Sequence, residues 1–303
     1  MLHVAANAEA SGIGGSLRVD IVPMFEDNFA YIVTDEVAML SAFVDPADPD
    51  AVMRAWRKLE ASEEVGELSA IFTTHHHDDH AGGNIRLAAM FPGLHVYGPA
   101  GEVIPGRTLP VEGGSEFTLG TLNVSVISTG GHTRGGVSYV VEGSGPAKFP
   151  PAVTAGDQGE TGASAALFSG DTLFVGGCGR LFEGDAAQLR ASLQRLAQLD
   201  PATRVFCGHE YTQRNLAFAA LMDPTNGALE RKMEAVEAAR REGLASVPST
   251  IGDELATNPF LRCGDVAVAQ TVQAIASASL LEQVDAFDPD DVFRAMRLLK
   301  DKM

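Results

Sequence analysis

The feature that most constrains this chain is the run Thr74-His75-His76-His77-Asp78-Asp79-His80. It follows the apolar stretch Leu68–Thr73 and precedes Ala81-Gly82-Gly83-Asn84, where a helix opens. In an extended segment His75 and His77, two residues apart, point to the same side. Where the chain turns into a helix, the adjacent Asp79 and His80 diverge. One short segment can therefore offer two ligands to one ion and two to a neighbouring ion. Imidazole and carboxylate at this density suit Zn, Fe or Mn better than Ca or Mg. Taken alone, the run could also be a solvated His-rich loop.

It does not stand alone. His132 follows the strand pattern Leu122–Ser128, Asp171 follows Ala165–Ser169, and His209 follows Arg204–Cys207. Four strand patterns thus each end in a turn and then a metal-competent side chain, and the cleft beyond the carboxyl ends of strands is where α/β folds bind ligands. Five of the eight histidines belong to this set; His3, His76 and His95 do not. Singly, His132 or His209 would be a hydrogen-bonded loop histidine. Jointly the seven residues point to a two-metal centre.

Further strands are expected at Leu17–Pro23, Tyr31–Thr34, Ala38–Val44, His95–Tyr97 and Ser138–Val141, and helices at Asp50–Leu59, behind the capping run Asp-Pro-Ala-Asp-Pro-Asp, and Ala186–Leu199. After about residue 210 strand signals nearly vanish, and Asn215–Met222, Asn226–Arg241, Val266–Gln270 onward and Asp288–Asp301 read as helices. This pattern predicts a layered α/β catalytic domain over 1–209 and a smaller helical domain over 210–303. Gly143–Ser164, rich in Gly, Pro and Ala, reads as a mobile surface excursion, and Met1–Ser16 as a loose extension without the cationic residues of a targeting signal.

With 303 residues, no repeat and no apolar run near the roughly 18 residues needed to cross a bilayer, the chain reads as soluble. Its net charge of -18 argues against nucleic acid and anionic membrane as partners. Three cysteines without a CxxC pair fit a reducing compartment, the cytoplasm or the mitochondrion.

The pattern His75-x-His77-x-Asp79-His80, with His132, Asp171 and His209 in order, resembles the metallo-β-lactamase superfamily. The stretches THHHDDHAGGN from Thr74, GDTLFVGGCGRLFEG from Gly170, CGHEYT from Cys207, VPST from Val247, NPFLR from Asn258 and RAMRLLKDK from Arg294, with Asp27-Asn28-Phe29 and Val44-Asp45-Pro46, are similar nearly end to end to glyoxalase II, the hydroxyacylglutathione hydrolases. The resemblance implies an αββα sandwich with a C-terminal helical domain. It implies His75, His77 and His132 on one divalent ion, Asp79, His80 and His209 on the other, and Asp171 bridging; zinc comes first, with iron or manganese as alternatives. It implies that a metal-bound hydroxide cleaves S-2-hydroxyacylglutathione, such as S-D-lactoylglutathione, as the last step of methylglyoxal detoxification, with Asp79 and Asp171 as the catalytic carboxylates. Substrate contacts are implied for Arg180, Leu181, Phe182, Tyr211, Asn215 and Arg262, on a monomeric enzyme. Without the resemblance, Arg180 and Arg262 read as surface cations, Tyr211 and Phe182 as packing, and Asn215 as helix decoration.

The chain departs from the family pattern at Arg180, where lysine is common, at Phe182 for tyrosine, at Gly136 for histidine and at Asp78 for an aromatic residue. Cys263-Gly264-Asp265 stands where basic residues usually follow Arg262. A thioesterase for another thiol carrier, a persulfide dioxygenase and a non-catalytic metal-binding module are the competing expectations.

Overall fold

The computed structural model describes residues 15–145, 147–154, 164–278 and 284–303. Of the N-terminal extension, residues 1–14 lie outside the described residues, as do 146 and 155–163 of the 143–164 excursion.

The first half builds β1 (Leu17–Met24), β2 (Asn28–Asp35), β3 (Leu40–Val44), α1 (Pro49–Ala61), β4 (Glu67–Phe72), α2 (Asp78–Ala81), α3 (Asn84–Met90), β5 (His95–Pro99) and β6 (Leu109–Val111). These six strands form one sheet in sequence order, antiparallel from β1 to β3 and parallel from β3 to β6. The second half begins with β7 (Glu116–Leu119), β8 (Leu122–Ser128), β9 (Val137–Glu142), β10 (Ala165–Gly170), a hairpin of β11 (Leu173–Phe174) and β12 (Gly177–Cys178), α4 (Ala186–Leu196) and β13 (Arg204–Cys207). It ends with α5 (Thr212–Met222), α6 (Gly227–Arg241), β14 (Ser249–Thr250), α7 (Ile251–Thr257), α8 (Val266–Ala278) and α9 (Pro289–Asp301). The second sheet has the order β14-β13-β10-β9-β8-β7.

Period-two alternation sorts the side chains into layers. In β3 and β4, Ala42, Val44, Ala70 and Phe72 face the second sheet, where they meet Val126, Tyr139, Phe168 and Phe206 in one buried cluster. Phe72 stacks on Tyr139 at 5.3 Å between centroids. The intervening Phe43 and Ile71 face outward and bury Val52, Met53 and Trp56 of α1 and Leu87 of α3. On the far side of the second sheet, Val140, Leu167 and Val205 pack on Leu189, Leu193 and Leu196 of α4. The result is the expected helix–sheet–sheet–helix sandwich.

Local signals fix the helices. Asp48 caps α1 by accepting from the Asp50 and Ala51 amides, with Pro49 at the first helical position. Asp185 and Gln188 form a reciprocal capping box on α4. The helical region continues the cluster around α4, since Phe218, Phe260, Val272, Phe293 and Met296 share it with Leu189 and Leu193. Two elements there had no sequence signal: β14, which adds an edge strand to the second sheet, and α7 behind it.

Two loose expectations are corrected in part. Ser16 is tied to the sandwich by its hydroxyl on Glu36 Oε2 (2.7 Å). Within the excursion, Lys148 bridges the outer edge of β1, exchanging backbone hydrogen bonds with Leu17 and Val19. That contact covers an otherwise open sheet edge.

Candidate metal centre

All seven predicted ligands converge at one end of the sandwich, beyond the carboxyl ends of β4, β8, β10 and β13. His75 Nε2 lies 3.0 Å from His77 Nδ1, and His132 Nε2 lies 3.2 Å from the same atom. These three nitrogens form one group with mutual distances within 4.8 Å, and Asp79, His80 and His209 form another. Asp171 stands between them. Its Oδ1 is 3.3 Å from His80 Nε2, and its Oδ2 is 3.5 Å from His132 Nε2 and 3.3 Å from His209 Nε2.

The remaining ring nitrogens set the tautomers. His132 Nδ1 donates to the Arg180 carbonyl at 2.9 Å, an oxygen that can only accept. His80 Nδ1 faces Asp45 Oδ2 at 2.9 Å, and His209 Nδ1 faces Asp27 Oδ1 at 3.0 Å. Asp45 is itself pinned by the Thr74 amide and hydroxyl at 2.8 and 2.7 Å. Each Nδ1 is thereby engaged and each Nε2 aimed at the centre, the arrangement carboxylates impose on ligating imidazoles.

The residues fit divalent ions on three counts. His80 Nε2 and Asp171 Oδ1 are buried and, although 3.3 Å apart, make no hydrogen bond, so two orphaned polar atoms share one space. Burial holds His75, His77 and His132 below the usual histidine range, in the neutral form that ligates. Around His209 burial opposes charge, yet Asp171 and Asp79 pull it up to about 10. His80 is likewise raised against burial by Asp171 and Asp45, while His80 and His209 keep Asp171 ionised against its own burial. The carboxylates therefore demand positive charge at this point, which a divalent ion supplies as the imidazole protons leave.

The residues implied for substrate contact divide. Phe182 is 62% exposed, its ring edge-on to His77 (5.6 Å) and His132 (5.2 Å). Tyr211 stacks on His209 at 4.6 Å, and Arg214, a residue the sequence did not single out, lies over the Tyr211 ring at 4.8 Å. Arg180 exposes its side chain and approaches Asp301 at 3.4 Å, and Leu181 is half-buried against the helical cluster. Asn215 is buried and donates to the Val175 carbonyl at 3.0 Å, propping the β11–β12 hairpin. Arg262 is engaged at both ends, by Asp223 (3.1 Å) and Asp265 (2.9 Å). Sequence reasoning gave no role to Asp27 and Asp45, although both sit in the stretches Asp27-Asn28-Phe29 and Val44-Asp45-Pro46. His76 bridges Glu102 (2.9 Å) and Glu183 (3.2 Å) outside the ligand set.

Comparison with known proteins adds three findings. A family profile described as hydroxyacylglutathione hydrolase C-terminus matches residues 210–303, and one described as metallo-beta-lactamase superfamily matches residues 156–209. The chain is 36% identical over 288 residues to the cytoplasmic hydroxyacylglutathione hydrolase of Arabidopsis thaliana, covering 94% of this chain and 99% of that protein. It is 41% identical to the hydroxyacylglutathione hydrolase of Trichormus variabilis, covering 94% and 100%. Among solved structures, a metallo-beta-lactamase from Staphylococcus aureus matches with a TM-score of 0.56 at 20% identity, covering 93% of this chain and 72% of that one. The B3 metallo-beta-lactamase BLEG-1 matches with a TM-score of 0.52 at 23% identity, covering 80% and 99%. At those identities the structures establish the fold alone.

Proposed function

This chain belongs to the hydroxyacylglutathione hydrolase family of the metallo-β-lactamase superfamily, and from that premise we propose that it hydrolyses the thioester of S-2-hydroxyacylglutathione to a 2-hydroxy acid and glutathione, the step that completes methylglyoxal detoxification. The observation that carries the proposal is the convergence of seven ligands into two groups joined by one buried carboxylate.

In this reading His75, His77 and His132 would hold one divalent ion, Asp79, His80 and His209 would hold the other, and Asp171 would serve both. Zinc is the first candidate, with iron or manganese as alternatives. A bound pair of ions supplies a water acidified toward neutrality as nucleophile and positive charge for the carbonyl oxygen. The chain's own residues do the rest. Asp27, Asp45 and the Arg180 carbonyl hold the imidazoles in one tautomer, so the site is organised before substrate arrives. Asn28 donates to Asp79 Oδ2 at 3.0 Å, which fixes the orientation of that carboxylate. Phe182 and Tyr211 flank the centre with apolar rings that exclude bulk water from the thioester. Arg180 and Arg214, both exposed, supply cations for the carboxylates of glutathione. The leaving thiolate departs without full protonation. The helical segment 210–303 acts as the substrate-binding domain, contributing Tyr211 and Arg214, and the protein works as a cytoplasmic monomer.

One observation favours a second reading, a thioesterase for another thiol carrier. Arg262 is neutralised by two carboxylates and followed by Cys263-Gly264, which leaves no cation free in that stretch. The test is hydrolysis of S-D-lactoylglutathione by purified protein with its metals quantified, beside His77→Ala. Turnover with about two ions per chain, abolished by the substitution, supports the proposal. A full metal complement without turnover excludes glutathione as the carrier and moves the assay to other acyl thiols.

A further inference from the structure

Of the three consecutive histidines at the end of β4, His76 alone has no place in the ligand set, yet its ring is held at both ends. Nδ1 meets Glu102 Oε2 at 2.9 Å, and Nε2 meets Glu183 Oε1 at 3.2 Å. Glu102 lies on the loop between β5 and β6, with its side chain only 4% exposed. Its carboxylate also accepts from the His76 amide at 2.8 Å and the Gly135 amide at 3.0 Å. A Cβ on Gly135 would lie 2.9 Å from Glu102 Cγ, so a glycine is what lets that loop close on the carboxylate. One buried group thus fixes both the backbone and the ring of His76 from behind.

The other end of the ring reaches the turn between β12 and α4. Glu183 belongs to that turn, and its second oxygen accepts from the Arg134 amide at 3.0 Å. Its chain neighbour is Phe182, the exposed ring that stands edge-on to His77 and His132. The backbone here is held by long bonds. The Phe182 and Glu183 amides share one acceptor, the His132 carbonyl, at 3.2 and 3.3 Å. The Glu183 carboxylate is a second tie for the same turn. Through it His76 joins three loops: its own, which carries His75 and His77, the loop that carries His132, and the Phe182 turn.

We propose that His76 is a positioning residue for the substrate. Braced by Glu102, it holds Glu183 and with it the Phe182 turn against the ligand loops, which sets how tightly the thioester binds and leaves the ions' own affinity unchanged. The proposal rests on the reading of Phe182 as a substrate contact.

The test uses the full-length, zinc-loaded protein as wild type, His76→Asn, His76→Gln, Glu183→Ala and the double variant His76→Asn/Glu183→Ala. Asparagine carries its amide where Nδ1 sits and keeps Glu102; glutamine carries its amide where Nε2 sits and reaches Glu183. Three readouts are taken: zinc per chain, KM and kcat on S-D-lactoylglutathione, and the rate of tryptic cleavage after Arg180, whose side chain is 62% exposed. The last reports local opening of the turn and needs no substrate. In His76→Asn, KM and the cleavage rate each rise roughly 2–5-fold, the scale of a partly exposed charged contact, with kcat and zinc content as in wild type. His76→Gln restores both, and the double variant is no worse than Glu183→Ala, because the two side chains act through one contact. Should His76→Asn lose its far-UV circular dichroism, Glu183→Ala against wild type carries the test, since that side chain is 35% exposed. A folded His76→Asn with wild-type KM and cleavage rate, additive effects in the double variant, or loss of zinc in place of a raised KM overturns the proposal. A wild-type protein that leaves S-D-lactoylglutathione intact overturns the glutathione reading instead, and the cleavage rates still decide the role of His76.

Discussion

Lys232 offers the most demanding test of the fold's energetics. It is fully buried on α6, with Nζ 2.5 Å from Asp253 Oδ2, 2.6 Å from Glu254 Oε1 and 3.1 Å from Ser249 Oγ. Glu254 in turn accepts from the Gly176 amide at 2.8 Å and from Asn258 Nδ2 at 3.0 Å. One ammonium thus joins α6, β14, α7 and the β11–β12 hairpin. Lys232→Met keeps the volume of the stem and takes the ammonium away from the buried Asp253 and Glu254 carboxylates. Removing one partner of a buried ion pair costs about 3–5 kcal/mol, because the survivor stays desolvated and uncompensated. At about 2 °C per kcal/mol for a chain of this size, the midpoint should fall by roughly 6–10 °C. The pH dependence has a definite sign. Burial disfavours the Lys232 charge, but Glu254 and Asp253 reverse this and hold its pKa above the usual lysine value. Its stabilisation is therefore complete below that value and lost only as pH rises through the higher folded one. Wild type gains and loses nothing from this group between pH 5.5 and 8.5. Urea unfolding at pH 5.5, 7 and 8.5 measures the deficit and its constancy across this range. A variant within about 1 kcal/mol of wild type, or a wild-type contribution from Lys232 that falls away below pH 8.5, would refute the reasoning.

Lys300 should show the opposite sign: burial, then Arg297, lowers its pKa to about 8, so the unfolded chain binds the extra proton and stability rises with pH between 8 and the usual lysine value. Lys300→Met should therefore gain on the order of 1–2 kcal/mol at pH 7, less whatever its contact with the Phe218 ring contributes (4.9 Å), and equal stabilities at pH 7 and 10 would contradict this. All three cysteines are buried, and burial pushes the Cys207 thiol up to about 12; a thiol reagent at pH 8 should label none in the native protein and three after unfolding, whereas rapid native labelling of Cys207 would sink the assignment. Asp45→Asn should weaken one of two bound ions roughly 10–100-fold, as read by chelator competition on the zinc-loaded protein, and unchanged release of both ions would contradict the role given to the His80–Asp45 contact.

The candidate ligands were legible because each lies just beyond the end of a strand. The apolar alternation of β4, β8, β10 and β13 marks where a strand stops, and a layered fold brings those ends together. The sandwich was legible for the same reason, with Phe43 and Val44 on opposite faces of one strand. Short elements failed. The two-residue strand β14 has no period to detect, and α7 begins at a cap, Thr250, that is itself part of that strand. Arg262 and Asn215 show the other limit. Their residue types suit a substrate pocket, but what they touch depends on Asp223 and Val175, which no local pattern announces.

The same limit explains why the groups that aim the ligands escaped notice. His209 meets Asp27 across 182 positions of sequence, His80 meets Asp45 across 35, and His132 meets the Arg180 carbonyl across 48. A ligand is chosen by its chemistry and can be read from its residue type. A partner that fixes a tautomer needs only an acceptor at the right place, and an aspartate, or a backbone carbonyl as at Arg180, serves equally. Such positions carry little signal in residue type and all of it in topology. They also come from three different supports: the turn after β1, the end of β3, and the loop after β12. The carboxylates and the carbonyl that face these imidazoles thus come from both halves of the sandwich, so the docking of the two sheets sets the aim of the candidate ligands.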